Sequence, residues 1–169
     1  MLDTILKRIV SSPVLIYAIR CFIGFLIGYQ LYVYFPELEL FWTLLSIILV
    51  ISPEEKDTRR LSLERFKSNF IGSAVALGLL LFVEPTIYTI MFGILLTIVV
   101  CRLFKVLNMA RVALVALLII MVKPHGTSWV EAPFFRFGTV ALGCIIGLLI
   151  VVLTSMIFRP LKKKYGIPY

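Results

Sequence analysis

Six long runs of apolar residues dominate this sequence and decide the solvent in which it folds. They cover about 13–34, 37–52, 67–83, 86–101, 107–122 and 133–158, separated by stretches that hold most of the charges and prolines. A helix needs about 20 apolar residues to cross the hydrocarbon core of a bilayer, with about 17 as the lower limit. The hydrophobic fraction is 61%, against roughly 45–50% in soluble domains. The sequence therefore predicts an all-α integral membrane protein whose six transmembrane helices form a single domain over residues 1–169.

Basic residues fall almost entirely on one side of the predicted helices. Loops rich in Lys and Arg stay on the cytoplasmic side of a membrane. With the N-terminus inside, 15 of the 17 Lys and Arg residues lie on that side, and the exceptions are Lys123 and Arg136. We therefore expect a multi-pass protein with both termini in the cytoplasm and a basic cytoplasmic tail over residues 159–169.

The net charge of +8 does not indicate nucleic-acid binding, because the basic residues lie between apolar runs instead of on one water-exposed face. Groups for catalysis are also missing. The three cysteines stand singly, and His125 is the only histidine, interpreted as a solvated loop residue. No Cys/His spacing suits a metal, and no Ser/His/Asp set suits nucleophilic catalysis. We therefore expect no catalytic residue, no metal site, no cofactor and no enzymatic activity.

The second half of the chain resembles the first in a single register that needs no gap. The most informative matches of that register pair Pro53 with Pro124, Arg65-Phe66 with Arg136-Phe137, and Gly72 with Gly143. Each half, about 13–83 and 84–158, contains three predicted helices. An odd number of crossings reverses the direction of the second half, so the sequence predicts a 3+3 inverted repeat, an architecture common among transporters.

Three predicted helices carry a basic residue followed by small residues on the same face. Spacings of three and four residues place side chains on one stripe of a helix. Small residues four apart let helix backbones approach closely in a membrane. We interpret the glycines of these stripes as helix-packing positions: Gly24 and Gly28 in the first predicted helix, Gly72 in the third, and Gly143 and Gly147 in the sixth.

Arg20 and Arg136 lie within two of these stripes, inside or near the edge of apolar runs. An arginine at the bilayer centre costs about 2.5–3.5 kcal/mol on insertion scales, so it usually faces a partner or a watery cavity. For Arg20 a permeation role and a structural pairing role are both open, and for Arg136 a pore role and an interfacial position are both open. The acidic residues lie at the ends of the runs. The buried charge is therefore positive, which suits an anionic permeant.

The predicted anion pathway is lined by the first, third and sixth predicted helices. Trp42 begins the second predicted helix, where a pore-entrance role and an interfacial anchor are both open. The candidate pathway residues are Arg20, Arg136, Thr139, Asn69, Trp42 and Thr43.

Short motifs through most of the chain resemble the membrane domain of the fusaric acid resistance and aromatic acid exporter (FUSC) superfamily, and the plant aluminium-activated malate channels are similar in layout. The motifs are Arg20 with its glycines, Phe41-Trp42-Thr43, Glu64-Arg65-Phe66, Arg136-Phe137-Gly138-Thr139 and Arg159-Pro160. The resemblance implies a dimeric six-helix unit that passes organic or inorganic anions, and it implies the inner (plasma) membrane. Family members commonly add a soluble domain, whereas this chain stops soon after the sixth predicted helix.

Two functions are open at this stage. The favoured one is an organic-acid exporter or anion channel, whose partners are the lipid bilayer, small anions or organic acids, and a second copy of the chain. The alternative is a non-transporting membrane scaffold or accessory subunit, in which the glycine stripes are pairing faces and the arginines make structural pairs.

Overall fold

The computed structural model describes residues 12–122 and 131–164, and within these ranges the chain is helical and contains no strand. This confirms the predicted all-α class. The α-helices are α1 (Pro13–Tyr34), α2 (Phe41–Val50), α3 (Glu55–Leu80), α4 (Ile87–Leu103), α5 (Ala110–Val122) and α6 (Ala132–Lys164). Each predicted apolar run overlaps one of them, although α3 begins 12 residues before its run, in the charged stretch. Predictions for Lys123, Pro124 and His125, and for the end of the basic tail, concern residues outside the described ranges.

The six helices differ in length, and two of them, α1 and α6, are long and apolar enough to cross a membrane. Helices α2, α4 and α5 are apolar but have 10, 17 and 13 residues. At 1.5 Å per residue they extend for about 15, 26 and 20 Å, whereas the hydrocarbon core is about 30 Å thick. Six complete crossings and cytoplasmic termini therefore stay predictions.

Local sequence signals explain where several helices begin and end. Helix α1 begins with Pro13, whose fixed φ suits the first helical position and whose missing N–H is not needed there. Thr86 caps α4, since its side chain accepts a hydrogen bond from the backbone N–H of Thr89. Helix α2 ends at Val50, just before Ser52 and Pro53, and Pro53 lacks the N–H that a continuing helix would need.

The helices form two compact units. The first unit contains the described residues up to Ser62 and from Leu142, which are α1, α2, the start of α3 and the C-terminal part of α6. The second unit, Leu63–Ala141, contains the rest of α3, then α4, α5 and the start of α6. Each unit has its own apolar core. The first core is built on Ile47, Ile51, Ile150 and Val151, and the second includes Ile71, Cys101, Leu117 and Ile120.

In the first unit, α2 packs closely against α1 and α6 at glycines. A Cβ added at Gly24 of α1 would lie 2.9 Å from Ile47 Cγ2, and one added at Gly28 would lie 3.3 Å from Leu44 Cα. A Cβ added at Gly143 of α6 would lie 2.6 Å from the carbonyl oxygen of Thr43. Real Cβ atoms do not approach a backbone atom as closely as at Gly143, so the hydrogen side chain of glycine permits this spacing between α6 and α2. Gly147 makes the next contact along α6, against Val50 and Ile47.

In the second unit, α5 packs against α3 and α4 in the same way. A Cβ added at Gly72 of α3 would meet the carbonyl oxygen of Ala113 and would lie 2.9 Å from Ala116 Cβ. A Cβ added at Gly93 of α4 would lie 3.4 Å from Leu117. The short helix of each unit is therefore held between two neighbours that approach it through glycine.

The glycine contacts within the two units correspond pair by pair. Gly143 and Gly72 each face a backbone carbonyl oxygen on the short helix and a small side chain three residues later. Gly24 and Gly93 each face an apolar side chain on the short helix and another on the long helix. In every equivalent pair, the residue of one unit is separated from its counterpart in the other by nearly the same number of positions along the chain. The equivalent partners are Thr43 and Ala113, Ser46 and Ala116, Ile47 and Leu117, and Ile150 and Leu79.

Two glycines of α3 allow a matched test of this packing. We expect Gly72→Ala to lower the free energy of unfolding by about 1–3 kcal/mol, the usual cost of overpacking, because its Cβ meets α5 backbone. We expect Gly78→Ala to raise it by up to about 1 kcal/mol, because nothing lies within 4 Å of that Cβ and alanine favours helix. Thermal unfolding of the purified variants in detergent checks both values. A shift of the same sign in both variants would contradict the packing described for α3.

Candidate functional site

Arg20 is a buried cation in the middle of α1, with 3% of its surface exposed. Its Nε donates to Thr154 Oγ1 at 3.0 Å, and its Nη2 donates to Ser155 Oγ at 2.8 Å. Its Nη1 donates to two backbone carbonyl oxygens, of Ser52 at 2.9 Å and of Pro53 at 2.7 Å. These four bonds use most of the five N–H donors that a guanidinium carries. The charge is therefore solvated by protein groups.

The carbonyl partners of Arg20 follow the C-terminus of α2. The last carbonyl oxygens of a helix lack intrahelical donors, and the end of the helix carries a partial negative charge. Arg20 binds carbonyls of the two residues that follow the C-cap residue Ile51, and its positive charge complements the partial negative charge at this end of α2. Since the hydroxyl partners belong to α6, Arg20 joins α1, the segment after α2 and α6 within the first unit.

Glu55, at the start of α3, lies close to the Arg20 cluster. Its Oε1 accepts from Arg59 Nη2 at 2.7 Å, and its Oε2 accepts from Arg159 Nη2 at 2.8 Å. Burial acts to raise the pKa of this carboxyl, but the hydrogen bond from Arg59, the charges of Arg159 and Arg59, and a hydrogen bond with Ser155 outweigh it, so the pKa lies below its usual range. Ser155 thus connects Glu55 with Arg20 in one polar network.

In the second unit, α3 presents a buried polar stripe formed by Asn69 and Ser73, which are 1% and 5% exposed. They are four residues apart and therefore share a face of the helix. Asn69 Nδ2 donates to the carbonyl oxygen of Arg65 at 2.9 Å. Within the described ranges, however, Asn69 Oδ1 and Ser73 Oγ have no hydrogen-bond partner. A buried polar atom left in this state costs about 1–3 kcal/mol, so these atoms are suited to receive water or a solute.

Arg136 is the buried cation of the second unit, with 6% of its surface exposed. It lies early in α6 and directly precedes Phe137. The ring of Phe137 makes edge-to-face contacts with Phe66 and Phe70 at centroid distances of 5.1 and 5.5 Å. These contacts bring the start of α6 beside the segment of α3 that carries Asn69. Arg136 therefore lies in the same part of the second unit as the polar stripe.

The other predicted pathway residues are Thr139, Trp42 and Thr43. Thr139 donates to the carbonyl oxygens of Phe135 at 2.8 Å and Arg136 at 3.2 Å. Trp42 is half-buried, and its carbonyl oxygen accepts from Ser46 Oγ at 2.7 Å. Thr43 is fully buried. The six candidates divide between the units: Arg20, Trp42 and Thr43 belong to the first, and Asn69, Arg136 and Thr139 to the second.

Several residues of these clusters were not singled out from the sequence. Of these residues, Ser73 is the one that the sequence could have indicated, because it follows Asn69 by four residues in an apolar run and so lies on the same helix face. Thr154 and Ser155 pair with Arg20 across 134 and 135 residues of chain, and Glu55 pairs with Arg159 across 104. No local pattern indicates such pairings. In the part of the chain that the structure describes, no group of three His, Cys, Asp or Glu residues is arranged to hold a metal ion.

Comparison with known proteins gives one match. The model of the family described as fusaric acid resistance protein-like matches residues 18–150, from the second turn of α1 to the middle of α6. Neither the curated proteins nor the solved structures contain a significant match to the chain. The matched region includes Arg20, Asn69, Ser73 and Arg136.

The Arg20 contacts predict a specific loss of stability. We expect Arg20→Met to lower the free energy of unfolding by about 3 kcal/mol, because it removes the charged donor that binds the carbonyls of Ser52 and Pro53 and two hydroxyl groups of α6. Arg20→Lys keeps the charge but offers fewer fixed donors, so it should lose less. Chemical or thermal unfolding in detergent measures both, with Arg102→Met, an exposed arginine of α4, as the control. Equal stability of Arg20→Met and the control would contradict a structural role for Arg20.

The lowered pKa of Glu55 predicts how the free energy of unfolding depends on pH. Because its pKa is lowered in the folded protein, the ionised carboxylate stabilises the fold above the unfolded pKa, and this contribution disappears as the pH falls through the folded pKa. We expect Glu55→Gln to lose part of the decline in melting temperature between neutral and acidic pH. Glu54→Gln, an exposed neighbour, should behave like the wild type. The same pH profile for both variants would rule out this contribution.

Proposed function

The chain belongs to the fusaric acid resistance protein-like family, and on this premise we propose that it carries organic anions across the membrane, as an organic-acid or aromatic-carboxylate exporter or an anion channel. Membership in this family implies membrane transport of organic compounds. The two helices of spanning length agree with a membrane location. We further propose the inner (plasma) membrane, several crossings and cytoplasmic termini, supported by the bias of 15 basic residues to 2.

The observation that carries the proposal is the polar stripe of α3. Asn69 Oδ1 and Ser73 Oγ are buried in an apolar helix and, among the described residues, have no hydrogen-bond partner. If α3 packed only against apolar surfaces, both atoms would stay without a hydrogen-bond partner, and this would lower the free energy of unfolding. A hydrated pathway removes that cost, because water or the permeant supplies the missing hydrogen bonds.

The sign of the buried charge supports an anionic permeant. The buried charged side chains in the described ranges are Arg20 and Arg136, and both are cations. We assign the attractive charge of the pathway to Arg136, which is buried in the same unit as the polar stripe. Arg20 makes four hydrogen bonds to protein groups, so we assign it to holding the segment after α2. Thr139, Trp42 and Thr43 remain predicted pathway residues, and α1, α3 and α6 remain the predicted lining.

The inverted repeat is part of the proposal. The glycine contacts of the two units support it, since equivalent positions keep nearly the same separation along the chain throughout. Under this correspondence α1 and α2 match α4 and α5, and α3 matches α6. Two copies of one ancestral segment that crosses the membrane an odd number of times would give such matched packing with opposite orientations.

We also propose a homodimer. Phe22, Phe25, Tyr29 and Tyr32 are exposed on α1, at 66%, 45%, 49% and 43% of their surface. Their spacing of three, four and three residues forms one seam along the helix, as in helix pairs that pack side by side. Such a seam suits the same helix of a second copy.

Anion flux from liposomes containing the purified protein tests the transport function. We expect flux of an aromatic carboxylate such as benzoate, or of malate or chloride. Arg136→Gln should lower this flux about tenfold, the lower end of the effect that a focused charge has on ligand encounter. Ser73→Ala and Asn69→Leu should also lower it, because each removes a polar group of the proposed path. Arg159→Gln removes an exposed charge at 61% side-chain exposure and should leave flux unchanged.

The same measurement distinguishes the alternative. If no anion passes while the protein stays folded and oligomeric, the scaffold or accessory-subunit function is favoured. If flux is present but Arg136→Gln and Arg159→Gln reduce it equally, the charge of Arg136 does not belong to the pathway.

A further inference from the structure

A long apolar groove runs along the second unit, where α3 and α4 lie side by side. Its volume is about 760 Å³. Two stripes with a spacing of four residues border it. Phe66, Phe70, Ala74 and Gly78 form the stripe on α3, and Leu96, Val100 and Phe104 form the stripe on α4. The groove is therefore as long as the α3 stripe, which is about 18 Å at 1.5 Å per residue.

The groove lies on a different face of α3 from the polar stripe. Phe70 and Ala74 follow Asn69 and Ser73 directly in the chain, so the two faces are turned by about 100° about the helix axis. The polar stripe is buried, whereas the four residues of the α3 stripe that borders the groove are exposed. In a membrane, an exposed apolar face of a helix is in contact with lipid, and this one is concave.

Charge is confined to one end of the groove. Lys67 is the one charged residue in its lining, and it lies beside Phe66 at the end where the α3 stripe begins. Arg102 and Lys105 flank Phe104 in the chain, which lines the groove from the end of α4. Basic residues beside a membrane-embedded segment attract anionic lipid headgroups.

From this arrangement we infer that the α3/α4 groove binds one acyl chain of an anionic phospholipid, with the headgroup phosphate at Lys67. The length of about 18 Å is close to the depth of one leaflet, which is half of a hydrocarbon core about 30 Å thick. An acyl chain needs only apolar contact along this length. A small carboxylate needs several hydrogen-bond donors, and the lining offers one charged side chain. The inference does not depend on the proposed transport.

Gly78 provides a variant that blocks the groove without disturbing the fold. Nothing lies within 4 Å of a Cβ added there, and Gly78 lines the groove, so the side chain of Gly78→Leu begins in open space and occupies part of the groove. Leucine also favours helix over glycine. Gly138 is a matched control, because it is a helical glycine of the same unit with equally open space, and it does not line the groove.

Native mass spectrometry of the purified protein with phosphatidylglycerol or phosphatidylcholine of equal chain length tests the inference. We expect the wild type and Gly138→Leu to retain one phosphatidylglycerol per chain. Gly78→Leu should retain it about tenfold more weakly, the equivalent of two displaced methylene contacts. Lys67→Gln should reduce the preference for phosphatidylglycerol over phosphatidylcholine about fivefold. Lys56→Gln, an exposed lysine of the same helix, should leave that preference unchanged.

Three results would overturn the inference. One is equal retention of lipid by Gly78→Leu and Gly138→Leu. Another is a preference for phosphatidylglycerol that Lys67→Gln leaves intact. The third is displacement of the bound lipid by benzoate alone, which would reassign the groove to the permeant.

Discussion

Close approach of helix backbones at glycine is the contact on which this structure depends. Lipid chains are as apolar as leucine, so burying apolar surface gives helices in a membrane little reason to associate, and tight packing has to supply the attraction. Gly143 and Gly72 supply it by lying against carbonyl oxygens of α2 and α5. These two helices are the short ones, with 10 and 13 residues. Their positions are fixed by the neighbours that enclose them, because neither is long enough to be anchored at both surfaces of a bilayer.

A short helix in an apolar surrounding leaves backbone groups at its end that lipid cannot satisfy. Just beyond the end of α2, the guanidinium of Arg20 donates to the carbonyl oxygens of Ser52 and Pro53. It also donates to two hydroxyl groups of α6. The guanidinium thus gains acceptors from the segment after α2, and that segment is held against α1 and α6. These hydrogen bonds explain how an arginine is accommodated inside the apolar helix α1.

The sequence alone predicted the helices, but it did not predict most of the contacts between them. Apolar runs predicted all six helices, because hydropathy acts locally, and the run at 13–34 matches α1 residue for residue. The polar stripe could be found in part, since Asn69 stands out in an apolar helix. The network of Arg20, Ser155 and Glu55 could not, because hydrogen bonds across most of the chain's length leave no local pattern.

The proposed internal repeat is another feature that the sequence indicates only in part. The gapless register pairs Gly72 with Gly143, and the glycine contacts of α3 and α6 agree with it. In the other helices the contacts make Gly24 equivalent to Gly93, whereas the gapless register places Gly24 opposite Leu95. Ile and Leu are frequent in every apolar helix, so matches between them say little about which helix faces are equivalent. Insertions in loops also shift the register between the two halves.

Helix α3 carries two surfaces of different chemistry, one buried and polar and the other open and apolar. They are about 100° apart on the same rigid rod, so neither can turn without the other. A rotation of α3 that opens or closes the polar surface also changes the shape of the apolar one. If both surfaces hold ligands whose affinity depends on that rotation, each ligand must alter the binding of the other by the same factor. The composition of the surrounding membrane would then act on the polar surface as an effector, without direct contact with a ligand bound there.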